Sequence, residues 1–150
     1  MLAAENNIVK INITDLQHMT EPTLHGISCC AGSGKYRVCA ELKVIGPDII
    51  VLIWGGTRPH IGSVAAAVPR PSLKKPERMS ATSSVLNYTG HKDEIISKLF
   101  SERLSAAFNC NCIATAGIHI DNATSGDVNR IMKNCTALCT RLQKMLEKQQ

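Results

Sequence analysis

The stretch GGTRPHIG, Gly55 to Gly62, follows directly on the apolar run IIVLIW, Ile49 to Trp54. Glycines at the end of a buried strand let a ligand approach the backbone closely. Arg58 offers a planar fork that matches a phosphate, and His60 can donate or accept a proton near neutral pH. The chemistry this spacing suits is the binding of a small anion. The plainer reading is a structural loop carrying a surface arginine.

Two further segments hold comparable groups. SATSSVLNYTGHKDE concentrates Ser80, Thr82, Ser83, Ser84, Asn87, Thr89 and His91. Neutral donors at that density can hold a polar edge or a phosphate without burying excess charge, although hydroxyls in strands are often cross-strand pairs. His119 and Asp121 have strand parity and could share a face, as a metal site or as a carboxylate-oriented histidine. Alternatively His119 is a satisfied core histidine, and Asp121 and Asn122 form a turn through side-chain to backbone bonds.

Other motifs fall away on spacing. AGSGKY lacks a glycine at Cys29 and a Ser or Thr at Tyr36, and it precedes a strand, so it reads as a hairpin turn and not a phosphate loop. No GxSxG elbow supports a serine hydrolase. The seven cysteines form no CxxC pair, and an odd count without an export signal argues for reduced, mostly buried thiols over a disulfide framework, with a structural metal site as the alternative.

Strands and helices must position these groups. IVKINIT alternates apolar and polar residues, as a half-buried strand does. LHGISCCAGSGKYRVCAELKVIG reads as two strands joined at Gly32-Ser33-Gly34. DIIVLIW is apolar at both parities and predicts a central strand buried on both faces. IGSVAAAV, ATSSVLNY and CNCIATAGIHI are further strands. PRPSLKKPERMS, Pro69 to Ser80, is rich in proline and basic residues and reads as an electropositive loop, suited to act as a lid. Helical spacing appears from Lys92 to Phe108. It reappears after Thr124, an N-cap with Asp127 three residues on. Runs of strands ahead of the helices predict an α+β fold: a mainly antiparallel sheet of about six or seven strands with two helices packed on it.

The composition narrows the function. At 150 residues and 44% hydrophobic content the chain reads as a single globular domain, 1–150. Its longest apolar run, about six residues, is far short of the roughly 20 of a membrane-spanning helix. The N-terminus MLAAENNIVK lacks the pattern of a signal peptide, so a cytoplasmic location is expected. A net charge of +5 favours an acidic ligand, yet one Trp, two Tyr and two Phe are too few for a base-stacking platform. No nucleic acid and no membrane partner is expected.

Taken together, GGTRPHIGSVAAAVPRPSL, SATSSVLNYTGHKDE and TAGIHIDNAT resemble the prenylated-flavin chaperone family, the LpdD-like or gallate-decarboxylase-subunit-D type. The resemblance covers roughly Trp54 to Asn129; the first 45 residues and the final helix agree only in pattern. It implies a small homodimer with a fold similar to proteasome assembly chaperones. The implied task is to bind prenylated FMN, made by a flavin prenyltransferase, and assist its transfer to a UbiD-type decarboxylase, with no catalytic residue of its own. On this resemblance the cofactor-binding residues are Arg58 and His60, then Ser83, Ser84, Asn87 and His91, then His119, Asp121 and Asn122. Arg58, glycine N–H groups and serine hydroxyls suit a phosphate, and Asn87 and His119 suit the ring edge of a flavin. Two other classes stay open: a protein-assembly chaperone without a small ligand, and a metal-dependent hydrolase using His60, His91, His119 and Asp121.

Overall fold

The computed structural model describes residues 26–88, 90 and 93–149. The strand read at Ile8–Thr14 lies outside them. The elements run β1 (Gly26–Ala31), β2 (Val38–Ile45), β3 (Asp48–Gly56), β4 (Ser63–Pro71), β5 (Met79–Asn87), α1 (Glu94–Phe108), β6 (Cys112–His119) and α2 (Ser125–Glu147). They form a six-stranded sheet in the order β1-β2-β3-β6-β4-β5, with both helices packed on it. The fold is therefore α+β, as the alternation of patterns predicts.

Neighbouring strands are antiparallel except β3 and β6, which are parallel. β6 enters between β3 and β4, so the sheet's middle is assembled from segments far apart in sequence. This places the end of β3, which leads into GGTRPHIG, beside the end of β6, which leads into His119 and Asp121: Gly56 is paired with His119.

The helices cover one face of the sheet. β3 alternates strictly, with Ile49, Val51 and Ile53 buried under the helices and Ile50, Leu52 and Trp54 half-buried on the other side. The expectation that this strand is buried on both faces is thus corrected: a continuous apolar run here spans one packed face and one open face. Val68, Leu86 and Ile113 stand on the open face, 58%, 61% and 43% exposed.

Under α1 the packing is unusually fine-grained. Ser97, Ser101 and Ser105 are fully buried beside Phe100 and Leu104, against Ala65, Ala67, Ala114 and Ala116. Small residues on both sides let helix and sheet approach closely, and the hydroxyls stay satisfied: Ser63 and Ser97 share a 2.7 Å hydrogen bond, and Ser105 donates to the Cys110 carbonyl at 2.7 Å. The second helix starts at the N-cap read from sequence. The Thr124 hydroxyl accepts from the Asp127 backbone N–H, the Thr124 N–H donates to the Asp127 carboxylate, and the capping box is complete.

Two expectations need correction. The segment 69–80 is not all loop: Pro69–Pro71 end β4 and Met79–Ser80 begin β5, leaving 72–78 as the connection. Pro69 and Pro71 are tolerated because β4 pairs with β6 only from Ser63 to Ala67, so beyond that point one side needs no ladder donor. The expectation of uniformly reduced cysteines also fails. Cys30 and Cys39 stand directly opposite each other on β1 and β2 and are joined in a disulfide. The other five are free, and Cys110, Cys112, Cys135 and Cys139 are buried in the core.

Candidate functional site

Between β3 and β4 the chain must pass over the end of β6, because β6 lies between them in the sheet. Residues 57–62 make that crossing, and glycines make it possible. A Cβ on Gly117 would run into the His60 carbonyl, and one on Gly56, whose φ is +76°, into the His119 carbonyl. The crossing is bonded to the strand beneath it. Thr57 N–H donates to the His119 carbonyl at 2.7 Å, the Thr57 hydroxyl donates to the same oxygen at 3.1 Å, and Gly62 N–H donates to Ala116.

This geometry brings together side chains about sixty residues apart. Arg58 Nη2 forms an ion pair with Asp121 Oδ1 and stands 2.9 Å from His119 Nε2. His119 Nε2 is also 3.1 Å from Asp121 Oδ1. An arginine can only donate, so unprotonated Nε2 accepts from Arg58, while Nε2–H donates to Asp121; the cluster can take either arrangement. The His119 hydrogen bond, followed by Arg58, holds the Asp121 carboxyl below the ordinary carboxylate range. Asn122 follows in a left-handed conformation, φ 53°, and turns the chain toward α2.

His60 is placed by a second carboxylate. Its Nδ1 lies 3.1 Å from the Arg58 carbonyl, and its Nε2 lies 3.4 Å from Asp93 Oδ2. Asp93 is buried at the start of α1 and also accepts from the Ile118 N–H at 3.1 Å. The rings of His60 and His119 meet edge to face, with centroids 6.3 Å apart.

Both histidines line a cleft of about 430 Å3 between the start of α1 and the start of α2. Asp93 lines it as well, and the rest of its walls are mainly apolar: Ile95 and Ile96 from α1, Ile118 from β6 and Ile120 just beyond it, and Val128, Ile131 and Met132 from α2. Volume and character match a cofactor-sized site, mostly apolar with a few convergent polar groups.

The structure thus joins Arg58, His60, His119, Asp121 and Asn122 in one place. It puts others elsewhere. Ser83 donates to Glu102 at 2.7 Å and Asn87 to Glu94 at 3.1 Å, so both tie β5 to α1. Ser84 points to the open sheet face, since its neighbour Ser83 faces the helix. Ser83 sits four residues along β5 from Asn87, roughly 13 Å from the cleft end of the strand. His91 lies outside the described residues. Sequence reasoning missed Asp93, Thr57 and the isoleucine wall. The available signal for Asp93 was an acidic residue at the head of an apolar-periodic segment, where a helix begins.

Among the described residues no three His, Cys, Asp or Glu side chains converge to hold a metal ion. AGSGKY joins β1 to β2 as expected, but through a single 3-10 turn over Gly34–Tyr36 and not a tight turn at Gly32-Ser33-Gly34, with Lys35 paired to Asp127 at 3.0 Å.

The chain is thus a two-layer α+β domain with a histidine-rimmed cleft between its helices. A crystal structure of a chaperone complex for yeast 20S proteasome assembly has the same fold, with a TM-score of 0.56 over 84% of this chain and 97% of that one, at 12% identity. A sequence relative, Protein LpdD of Lactiplantibacillus plantarum, is 33% identical over 93 residues. The aligned stretch is 62% of this chain and 65% of that protein, just under two thirds of the relative's length. The family model of the prenylated flavin chaperone LpdD-like domain matches residues 32–147, and the chain belongs to that family.

Proposed function

We propose that this chain binds prenylated FMN as cargo in the cleft between α1 and α2, receives it from a flavin prenyltransferase and passes it to a UbiD-type decarboxylase in the cytoplasm. The observation that carries this reading is that His119 and His60 line a cleft walled largely by isoleucines and Met132, with Arg58 against His119 at its edge, a set of groups that suits an anion. A prenylated flavin nucleotide needs both halves. Arg58 would hold the phosphate, the two histidines would meet polar ring edges, and the apolar wall would take the ring system and its added prenyl-derived portion. The bound group supplies decarboxylation chemistry in the receiving enzyme, so this chain needs only to bind, shield and release it.

We also propose a homodimer. Val68, Leu86 and Ile113 form an apolar patch on the open side of β4, β5 and β6, and a symmetric pair of such patches would exclude water from both.

The test is anaerobic titration of prenylated FMN, FMN and riboflavin into the purified chain, followed by absorbance, and then transfer from the loaded chain to an apo-decarboxylase. Prenylated FMN should bind tightest and riboflavin weakest, and transfer should exceed that from free cofactor. Absence of binding by either phosphorylated flavin would overturn the cargo reading and favour a protein-assembly role.

A further inference from the structure

The Cys30–Cys39 disulfide lies apart from the cleft and plays no part in the reading above. Its two residues are directly opposed on β1 and β2, and β1 is one of the two edge strands of the described sheet. The ladder already joins these strands, so the link is not needed to pair them. Both cysteines are half-buried and line a second cleft, about 640 Å3, with Ser28, Arg37, Trp54 and Pro59. Arg37 Nη2 stands 3.5 Å from Cys30 Sγ, whereas the structure places the indole-bearing residue Trp54 opposite Cys39. The two sulfurs are therefore chemically unequal, and both are open to a small reactant. The apolar patch assigned to the dimer is centred on β4, three strand spacings or roughly 14 Å from β2.

We propose that Cys30–Cys39 is a thiol–disulfide exchange site for a low-molecular-weight thiol, with Cys39 the attacked sulfur and Cys30 the leaving sulfur stabilised by Arg37. The incoming thiolate forms a bond to Cys39 Sγ as the Cys30–Cys39 bond breaks, and the electron pair leaves on Cys30 as a thiolate beside the guanidinium. A guanidinium near the leaving sulfur lowers its basicity and speeds departure. A second thiol attacks the incoming sulfur and releases Cys39. The balance is one protein disulfide and two small thiols giving two cysteines and one small disulfide, with the two thiol protons carried to Cys30 and Cys39. The remaining cysteines are poor competitors. Burial pushes Cys110 up to about 11 and Cys135 and Cys139 up to about 12, and raises Cys112 as well. Cys29 faces the helices from the other side of β1 and is also raised by burial.

The test uses the full chain, equilibrated anaerobically with glutathione buffers from fully oxidised to fully reduced, then trapped by alkylation and mapped by mass spectrometry. Cys30 and Cys39 should gain label together, with the second-power dependence on reduced glutathione that two thiols require. Trp54, the only tryptophan, should brighten in step as the neighbouring disulfide is lost. Cys30→Ser protein exposed to oxidised glutathione should hold glutathione on Cys39, and Arg37→Met should slow reduction of the wild-type pair by about three- to tenfold. A disulfide that persists in the folded protein at the most reducing buffer would overturn the proposal, as would a Cys30→Ser protein that takes no adduct. An Arg37→Met rate equal to wild type would overturn the assignment of Cys30 as leaving sulfur. None of these readouts involves flavin, so failure here is distinct from failure of the cargo reading.

Discussion

Replacement of Arg58 separates a binding role from a structural one. The Arg58 and Asp121 side chains are 67% and 53% exposed, so their ion pair is solvent-screened and contributes little to the fold. Arg58→Ala should lower the melting temperature of the ligand-free chain by less than about 4 °C. A charge-assisted hydrogen bond to a phosphate is worth about 1.5–3 kcal/mol, so affinity for prenylated FMN should fall roughly ten- to a hundredfold. Arg58→Lys should recover only part of that loss, because an ammonium keeps the charge but not the bidentate fork. The assay is anaerobic absorbance titration of the three proteins, beside melts of their ligand-free forms. Riboflavin supplies the control: lacking the phosphate, it should bind the wild type and Arg58→Ala alike. Equal losses for FMN and riboflavin would refute the phosphate assignment, and a large drop in melting temperature without ligand would make Arg58 a strut of the crossing loop.

Gly117→Ala should destabilise the chain by about 1–3 kcal/mol and weaken cofactor binding, because the new methyl group would displace the loop at His60; wild-type melting and affinity would refute the close crossing. Asp127 accepts from the Tyr36 hydroxyl at 2.5 Å and from Thr124, and pairs with Lys35, which together hold its carboxyl well below the usual range. A carboxyl lowered in the folded state stabilises above its unfolded pKa and loses that contribution as pH falls. The melting-temperature gap between wild type and Asp127→Asn should therefore be full above about pH 5 and shrink below about pH 4, and a gap constant to pH 2 would refute the linkage. Light scattering should find a dimer for the wild type and a monomer for Leu86→Lys combined with Ile113→Lys; an unchanged dimer would move the interface off this face.

Local chemistry made much of this protein legible before any coordinates. The period-two run of VCAELKVI, the helical stripe from Ile131 to Leu142 and the Thr124–Asp127 cap each depend on residues within a turn or two of one another, so short-range energetics decide them. The three motifs that carry the family resemblance are likewise contiguous in sequence. What lies between distant segments was not legible. The apolar run IIVLIW looks the same whether helices cover one face or both, and only the placement of α1 and α2 leaves Trp54 and Leu52 on an open side. Nothing in the spacing of Cys30 and Cys39 says that β1 and β2 pair in the register that sets them opposite each other. Arg58 meets Asp121 because β6 inserts in parallel beside β3, and His60 meets Asp93 because α1 begins under the crossing loop. The hydroxyl-rich strand shows the reverse case: its composition suits a ligand, yet register turns Ser83 and Asn87 toward glutamates of α1 and Ser84 toward the open face. Side-chain type and local period belong to the sequence, whereas the face a strand presents and the neighbour it meets are set by long-range pairing, whose energy no short segment contains.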